Sequence, residues 1–529
     1  PSAAASGVCM STESPVSAPA TAAAVSTDAA ARQRERIDGL LSRAPARGSG
    51  VLRSADGETL GYEVGASFLP VAKPGLDSAP PLAAVMVTHY LVDPPASASG
   101  SASTSPPARA LRPVCFAFNG GPGAASMWLQ FGALGPKRVV VPDDGSAAAA
   151  PFAVVDNALS WLAHFDLVFV DPPHTGWSAA VDGDERKRLL SVDGDVEALA
   201  AVVRLWLTRH RRWGARVFLA GESYGTTRVA AMADALQADG VQVDGVILVS
   251  CAMSLQTLVF APGNHLPHAL LLPALAGVSQ YHGLLKGTLA TSPQAARAAA
   301  EAFVADDYLG ALHAGARLTP ARRTRVARRI AELTGLSRTL IEQRDLRIDD
   351  QDYFFEALRA RGRIVGRLDA RATAPMAARR TREWEFDPGI EAIAPAYASA
   401  GLAWYADTLG LTSDARYALL SMDVHKQWDW NRGDARGNGY TDTTPDLARA
   451  LRRNPLMKVL VASGLYDLGT PYSASDWTLA QLDVPAEVRT RITHHTYDAG
   501  HMMYTREADL RRLKRDLAVW LAAPAVGAA

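Results

Sequence analysis

Cysteine is scarce in the 529-residue sequence, which contains only Cys9, Cys115 and Cys251. Such an odd and sparse set cannot form a dense disulfide framework, and none of the three has the CxxC spacing of a metal site. Because Cys115 and Cys251 lie in apolar, strand-like runs, we expect both to be small buried core residues. No His, Cys and Asp cluster has metal-ligand spacing, so we expect no structural metal.

An excess of either charge is also missing, since 54 Lys and Arg residues balance 54 Asp and Glu residues. This balance argues against a dedicated binder of nucleic acid or anionic membranes.

No apolar run reaches the roughly 18 residues of a membrane-spanning helix, so we expect no integral membrane segment. The N-terminus begins with Pro and does not read as an intact signal peptide. Cytoplasmic and exported locations both stay open, as does the oligomeric state.

The sequence contains the strand and helix pattern of an α/β protein. Residues 1–30 and 93–109 are rich in Ala, Ser and Pro and are expected to be disordered and an exposed loop, respectively. The short apolar runs AAVMVTHYLV, RPVCFAF, FDLVFV, ARVFLA, VDGVILV and MKVLVAS predict buried, mostly parallel strands with helices between them. Residues 261–420 instead predict a mostly helical cap insertion, which leaves 31–260 and 421–529 as the α/β core.

A serine stands at one predicted strand-to-helix junction, in RVFLAGESYGTTR. The sequence G-x-S-x-G at such a junction fits a nucleophile elbow, whose tight turn lifts the serine out of the sheet. Ser223 is therefore a candidate nucleophile, and its hydroxyl would need a base at neutral pH.

The base and its orienting acid are expected late in the chain, because the order in this fold is Ser, then Asp or Glu, then His. His501 follows a Gly in YDAGHMMY, and Asp467 follows a predicted strand in ASGLYDLGTPY. Asp467 would fix the imidazole tautomer of His501 and stabilise its charged form. Weaker candidates are His494, His495, Asp423, Asp429 and Asp498.

The glycine-rich stretch FNGGPGAASMWLQFGALGP follows another predicted strand. Consecutive glycines leave backbone N–H groups open, and such groups can stabilise an oxyanion. Asn119 and Pro122 would stiffen the turn, which favours a functional loop over a merely flexible one.

Taken in order, FNGGPGAAS, DPPHTGWS, GESYG, SGLYDLGTP and DAGHMM resemble the motifs of the serine carboxypeptidase family. The resemblance covers the chain from about Arg112 to its C-terminus and is weak in the helical segment, which is the variable cap of that family. It implies an α/β-hydrolase fold and the release of C-terminal residues from peptides that have a free terminal carboxylate, with neither a metal nor an organic cofactor. It implies Ser223 as the nucleophile, with Asp467 and His501 as its partners, and an oxyanion hole made by the backbone N–H groups of Gly121 and Tyr224.

The resemblance also implies a site for the leaving residue and its carboxylate, formed by Asn119, Gly120, Glu222 and Met502. A carboxylate substrate beside an ionised Glu222 would be repelled, so we expect this glutamate to be protonated. In much of the family a second glutamate keeps it so, but Ala133 stands at that position here, and Ala124 replaces the family's disulfide cysteine. These departures leave the pH preference of the site open.

Two other functions stay open on the residues alone. An esterase, amidase or acyltransferase could use the same three side chains, because a fold does not determine the substrate. A catalytically silent binding protein is disfavoured, because the Ser, Asp and His are all present.

Overall fold

The computed structural model describes residues 20–72, 79–93, 111–377, 384–432 and 439–524, and most of their strands form one sheet. The strands are β1 (Ala46–Arg53), β2 (Thr59–Val71), β3 (Ala83–Val92), β4 (Val114–Phe118), β5 (Lys137–Val139), β6 (Val154–Asp156), β7 (Asp166–Val170), β8 (Ala179–Ala180), β9 (Val217–Glu222), β10 (Val243–Val249), β11 (Arg363–Val365), β12 (Thr373–Pro375), β13 (Lys458–Gly464) and β14 (Ile492–Tyr497).

The order in the main sheet is β1-β2-β3-β7-β4-β9-β10-β13-β14, with β8 paired to β3. The six strands from β7 to β14 along this order run parallel, and β1, β2 and β3 add an antiparallel edge. The pairs β5–β6 and β11–β12 stand apart as two small antiparallel sheets. A mostly parallel sheet of this order, with helices in its crossovers, is the α/β-hydrolase fold, and the predicted fold class is confirmed.

Every residue of β4, β7, β9, β10 and β13 is buried. Strands that are covered by helices on both faces read as continuous apolar runs, which is the pattern that their sequences show. Cys115 in β4 and Cys251 just after β10 are both buried free thiols, as expected.

The α-helices are α1 (Ala20–Ser42), α2 (Met127–Leu129), α3 (Asp184–Leu189), α4 (Val192–Arg209), α5 (Tyr224–Ala238), α6 (Leu266–Tyr281), α7 (Pro293–Phe303), α8 (Leu309–Ala314), α9 (Pro320–Thr334), α10 (Arg338–Gln343), α11 (Asp350–Glu356), α12 (Pro388–Glu391), α13 (Ala394–Leu409), α14 (Met422–Gln427), α15 (Thr444–Arg453), α16 (Tyr472–Ala480), α17 (Ala486–Arg489) and α18 (Glu507–Ala522). Shorter 3-10 turns are Trp161–Ala163, Leu255–Thr257, Gly287–Ala290, Gly315–Arg317, Arg359–Arg361 and Met503–Thr505; π turns are Gln130–Leu134 and Val304–Tyr308.

Local sequence signals set the ends of several helices. Ser191 caps α4 by accepting a hydrogen bond from the Gly194 N–H. Thr319 caps α9 in the same way, and Pro320 occupies the first helical position, where its missing N–H costs nothing. Gly335 then ends α9 in the left-handed conformation (φ 70°).

The buried apolar side chains fall into two main clusters. The larger surrounds the sheet, whereas the second lies among α6 to α11 and the strands β11 and β12, and also includes Tyr466, Leu468 and Tyr472. Within the expected cap of 261–420, α13 packs with the larger cluster, so the boundary between the two clusters falls before α13. Of the expected disordered segment 1–30, residues 1–19 lie outside the described part of the chain and α1 begins at Ala20. Residues 94–109 of the expected loop also lie outside it.

The register of the parallel strands brings their carboxyl ends to one edge of the sheet. Phe118 at the end of β4 pairs with Gly221 of β9, and Glu222 pairs with Val249 at the end of β10. Further along, Gly464 of β13 pairs with Tyr497 of β14. Glu222 ends β9, and the segments that follow these strand ends carry the other main candidate site residues, so the topology gathers them at one edge, where α/β proteins bind their ligands.

Candidate active site

Ser223 occupies the turn between β9 and α5. Its backbone has φ 60° and ψ −129°, a conformation that a non-glycine residue adopts at a cost of about 1–3 kcal/mol. The turn is held by hydrogen bonds from the Ser223 N–H to the Val249 carbonyl (2.9 Å) and from the Thr226 N–H to the Ser223 carbonyl (2.8 Å). A Cβ atom on Gly221 would lie 2.2 Å from the carbonyl oxygen of Gly225, so the flanking position must be glycine. This is the geometry expected of a nucleophile elbow.

The side chains of His501 and Asp467 are in direct contact. Nδ1 of His501 lies 2.7 Å from Oδ2 of Asp467, and both side chains are buried. Burial alone would lower the pKa of His501, but the carboxylate of Asp467 outweighs it, and the pKa lies above its ordinary value. Burial likewise favours neutral Asp467, but the neighbouring His501 outweighs it and lowers the carboxyl pKa. The pair can therefore accept a proton on the imidazole and stabilise the resulting charge.

Thr470 completes the surroundings of this pair and was missed from sequence, although it lies in the DLGTP motif. Its hydroxyl donates to Oδ2 of Asp467 (2.6 Å) and lies 3.2 Å from Nδ1 of His501. The N–H groups of Gly469 and Thr470 donate to Oδ1 of Asp467 at 2.8 and 3.0 Å. These bonds occupy both carboxylate oxygens and fix the orientation in which Asp467 meets the imidazole.

The glycine-rich loop after β4 packs directly on the elbow. A Cβ atom on Gly120 would lie 2.5 Å from the backbone nitrogen of Tyr224 and 2.8 Å from Cβ of Ser223. Gly121 follows with φ 98°, a conformation open to glycine. The N–H groups of Gly121 and Tyr224 thus belong to two segments in close contact beside Ser223, and they are the candidate oxyanion donors.

Glu222 points into the same region from the end of β9. Its Oε1 accepts a hydrogen bond from Nδ2 of Asn119 at 2.8 Å, and both side chains are buried. Burial raises the pKa of Glu222 to about 7, against the opposing influence of His501, Tyr504 and Asn119. Oε2 makes no hydrogen bond with any described residue, although the Tyr504 phenol is near enough to affect the ionisation of Glu222. A neutral Glu222 could donate a hydrogen bond from this oxygen.

Ala133, at the position of the family's second glutamate, is buried in the π turn Gln130–Leu134. The preceding Gly132 packs against two phenols, since a Cβ there would lie 2.3 Å from Cε2 of Tyr504 and 2.8 Å from the Tyr397 hydroxyl. Both tyrosines are buried, and the charge of Glu222 raises the pKa of each, after burial itself. The surroundings of Glu222 therefore contain uncharged phenols on this side.

One cavity of about 200 Å³ connects these groups. Its wall contains seven of the predicted site residues: Asn119, Gly120, Gly121, Glu222, Ser223, His501 and Met502. Asp467 lies behind His501. Ala124, where the family has its disulfide cysteine, is also in the wall. The remaining wall residues, which sequence reasoning did not single out, are Trp128, Arg367, Leu368, Ile390, Leu420, Met422 and His425. Most of these further wall residues are apolar, and several of them lie in the segments just before and after α13.

The weaker sequence candidates lie elsewhere. His494 pairs with Asp476 (Nδ1 to Oδ1, 2.6 Å) and contacts Ser463 through Nε2. Asp498 lies 3.9 Å from Arg506, and His495, Asp423 and Asp429 are likewise outside the cavity wall. In the described part of the chain we find no group of three or more His, Cys, Asp or Glu side chains that could hold a metal ion. Nor does any helix within the described ranges have the length and apolar character to cross a membrane.

A family model described as serine carboxypeptidase matches residues 102–249. The matched segment includes the glycine-rich loop and the elbow at Ser223, and it ends before Asp467 and His501. This segment is similar to serine carboxypeptidases. The resemblance predicted from the motifs is thus confirmed here, and together with the fold it supports a serine hydrolase.

Other comparisons add little to the serine carboxypeptidase match. No curated protein matches the chain. Similar solved structures include the peroxisomal α/β-hydrolase Lpx1 of Saccharomyces cerevisiae (10% identity, 88% of this chain and 90% of that chain, TM-score 0.33). Others are the α/β-hydrolase MGS-M2 from a Medee basin deep-sea metagenome (9%, 83% and 94%, 0.33) and the monoacylglycerol lipase of Paleococcus ferrophilus (13%, 78% and 96%, 0.28). Scores this low carry no conclusion, so the fold assignment rests on the strand order.

Proposed function

We propose that the protein is a serine-type carboxypeptidase that releases C-terminal residues from peptides. The observation that carries this proposal is the presence of Glu222, bonded to Asn119, in the wall of the cavity that also contains Ser223 and His501. A buried acid with a pKa of about 7 is largely neutral in mildly acidic solution and can donate a hydrogen bond to a carboxylate. A free peptide terminus is the carboxylate that would place a scissile bond beside Ser223.

In the proposed reaction, His501 takes the proton of the Ser223 hydroxyl as the oxygen attacks the carbonyl carbon of the last peptide bond. The N–H groups of Gly121 and Tyr224 stabilise the oxyanion that forms. His501 then gives its proton to the leaving amine, and the C–N bond breaks, which leaves an acyl-enzyme. His501 takes a proton from water as the water oxygen attacks the acyl carbon. The bond between that carbon and Oγ of Ser223 then breaks, and His501 returns the proton to Oγ as the shortened peptide leaves.

A second candidate function is ester hydrolysis by the same groups. The apolar part of the cavity wall, formed by Trp128, Leu368, Ile390, Leu420 and Met422, favours it, because such a surface accepts an acyl or alkyl chain without needing a terminal carboxylate.

Digestion of a peptide library, read by mass spectrometry across a range of pH, tests the proposal. We expect sequential loss of C-terminal residues from peptide acids and little cleavage of the same peptides as C-terminal amides. Equal cleavage of acids and amides, or hydrolysis of esters alone, would contradict the carboxypeptidase assignment and favour the second candidate.

A further inference from the structure

Arg367 lies in the turn that follows β11, a strand whose buried residues belong to the second apolar cluster, and it lines the catalytic cavity. Its backbone is attached to the loops of the site at two points. The Leu468 N–H donates to the Arg367 carbonyl (3.0 Å), and the His501 N–H donates to the carbonyl of the next residue, Leu368 (2.6 Å). The backbone position of this arginine is therefore coupled to the loops that carry Asp467 and His501.

The guanidinium of Arg367 lies against the loop of the proposed acid. A Cβ atom on Gly469 would be 3.3 Å from Cζ of Arg367. The charge of Arg367 also contributes to lowering the pKa of His425, after burial, and opposes the rise in the pKa of His501. The cation therefore acts on two imidazoles in the cavity wall and is close to the reacting groups.

Within the described ranges, acidic groups engage this guanidinium only loosely. The nearest carboxylate there is Asp350, whose Oδ2 lies 3.9 Å from Nε of Arg367, and the arginine side chain is 43% exposed. Asp387 uses its two oxygens to accept the backbone N–H groups of Arg367 and Leu368 at 2.9 and 3.1 Å. The N–H groups in the guanidinium plane of Arg367 can therefore donate to a further acceptor.

Among the described wall residues, Arg367 is the one arginine or lysine. Glu222, His425 and His501 also line the cavity and can gain or lose a proton, and the remaining lining side chains are uncharged. A cation at the edge of a small, partly apolar cavity strengthens the binding of an anion more than a cation on open surface does.

We propose that Arg367 is a specificity-determining residue that pairs with an acidic side chain of the substrate, on an Asp or Glu beside the scissile bond. The proposal rests on the proposed carboxypeptidase function and adds a substrate class to it. A guanidinium can donate two parallel N–H hydrogen bonds to one carboxylate. An amide or ammonium group on the substrate cannot accept this pair of bonds.

N-blocked dipeptide acids with Glu, Gln or Lys at either of the two positions test this pairing in wild type and in the Arg367→Gln variant. We expect wild type to favour Glu over its uncharged isostere Gln by about tenfold in kcat/KM, which corresponds to about 1.4 kcal/mol. Arg367→Gln should remove this preference, measured as the ratio of kcat/KM for the Glu and Gln substrates in each protein, so that any change common to both substrates cancels. Arg367→Lys should restore part of it, because Lys keeps the charge without the fork of donors. Arg361→Gln, on an exposed arginine of the same region that is not in the cavity wall, is the matched control and should keep the preference.

Esters separate this inference from the carboxypeptidase assignment. The p-nitrophenyl monoester of glutaric acid and p-nitrophenyl butyrate present an anionic and a neutral acyl group without any peptide bond. If peptides are not cleaved but the anionic ester is favoured in wild type and not in Arg367→Gln, the carboxypeptidase proposal fails and the charge selection by Arg367 stands. Equal use of the charged and neutral partners by wild type would overturn the inference. An equal loss of both in a folded Arg367→Gln protein would also overturn it, since that result indicates a structural role.

Discussion

The guanidinium of Arg228 donates a hydrogen bond to the backbone carbonyl of Asn119, which connects the helix after Ser223 to the glycine-rich loop. The same guanidinium pairs with Asp195 of α4 (Nε to Oδ2, 2.7 Å), and both side chains are almost completely buried. One buried ion pair therefore positions the loop that supplies Gly121 against the elbow that supplies Tyr224. The two proposed oxyanion donors depend on it for their relative placement.

Removing one member of this pair should destabilise the fold. Arg228→Met leaves Asp195 charged or forced to take up a proton in a buried site, and we expect a loss of about 3–5 kcal/mol in the free energy of unfolding. Urea denaturation followed by circular dichroism measures it. The double variant Asp195→Leu with Arg228→Met should recover part of the loss, because neither charge is then left alone. A change below about 1 kcal/mol in the single variant would contradict this account.

Replacing the proposed nucleophile should separate folding from activity. Ser223→Ala removes the attacking oxygen, and we expect hydrolysis to fall by at least about 10⁴-fold while the unfolding transition stays close to that of wild type. Initial rates on a peptide acid or an ester measure the loss. Asp467→Asn should also cost several orders of magnitude, because the amide would disturb the tautomer of His501.

A fluorophosphonate probe supplies an independent readout for these variants. It should label wild type at Ser223 and leave Ser223→Ala unlabelled, whereas the surface variant Arg361→Gln should label as wild type does. Unchanged turnover in Ser223→Ala would refute the elbow assignment.

The binding of a peptide carboxylate should weaken as pH rises through the pKa of Glu222, about 7. Below that pH the glutamate is neutral and donates to the carboxylate. Above it the two anions repel, and the dissociation constant should increase by up to about tenfold for each pH unit. Titration of a peptide acid into Ser223→Ala protein between pH 5 and 9 measures this.

Glu222→Gln, made in the same Ser223→Ala background, is the control for that titration. Its amide keeps a donor and does not titrate, so the pH dependence that remains belongs to other groups such as His501, whose pKa is raised. The corresponding C-terminal amide peptide should show no dependence on Glu222. A profile for the acid that is identical in both proteins would rule out Glu222 as the group that titrates.

The sequence allowed the proposed reacting groups to be assigned to one edge of the sheet, because each follows a buried strand and belongs to a short motif. In a parallel sheet the carboxyl ends of strands share one edge, so Asn119, Ser223 and His501 could be placed together without coordinates. The edge strand β1 was missed, because ARGSGVLR is polar and rich in glycine and only one of its residues is buried. Arg367 and Leu368 were missed as well. Both lie in the turn after β11, where neither helical nor strand periodicity applies, and their contacts with Leu468 and His501 join distant parts of the chain.

The last prediction concerns Tyr504, whose ring packs on Gly132, next to Ala133, and whose phenol lies near Glu222. Its phenol lowers the pKa of Glu222 and so favours the ionised form. Tyr504→Phe keeps the ring that packs on Gly132 but removes this interaction, so the pKa of Glu222 should rise. Carboxylate binding by Ser223→Ala protein should then persist to higher pH, with its midpoint shifted upward. Tyr308→Phe, at a phenol that donates to the Leu346 carbonyl in the second core, is the matched control and should leave the midpoint unchanged. A midpoint that stays fixed or moves downward in Tyr504→Phe would show that the phenol does not act on Glu222, and the neutral state of that glutamate would then depend on its burial.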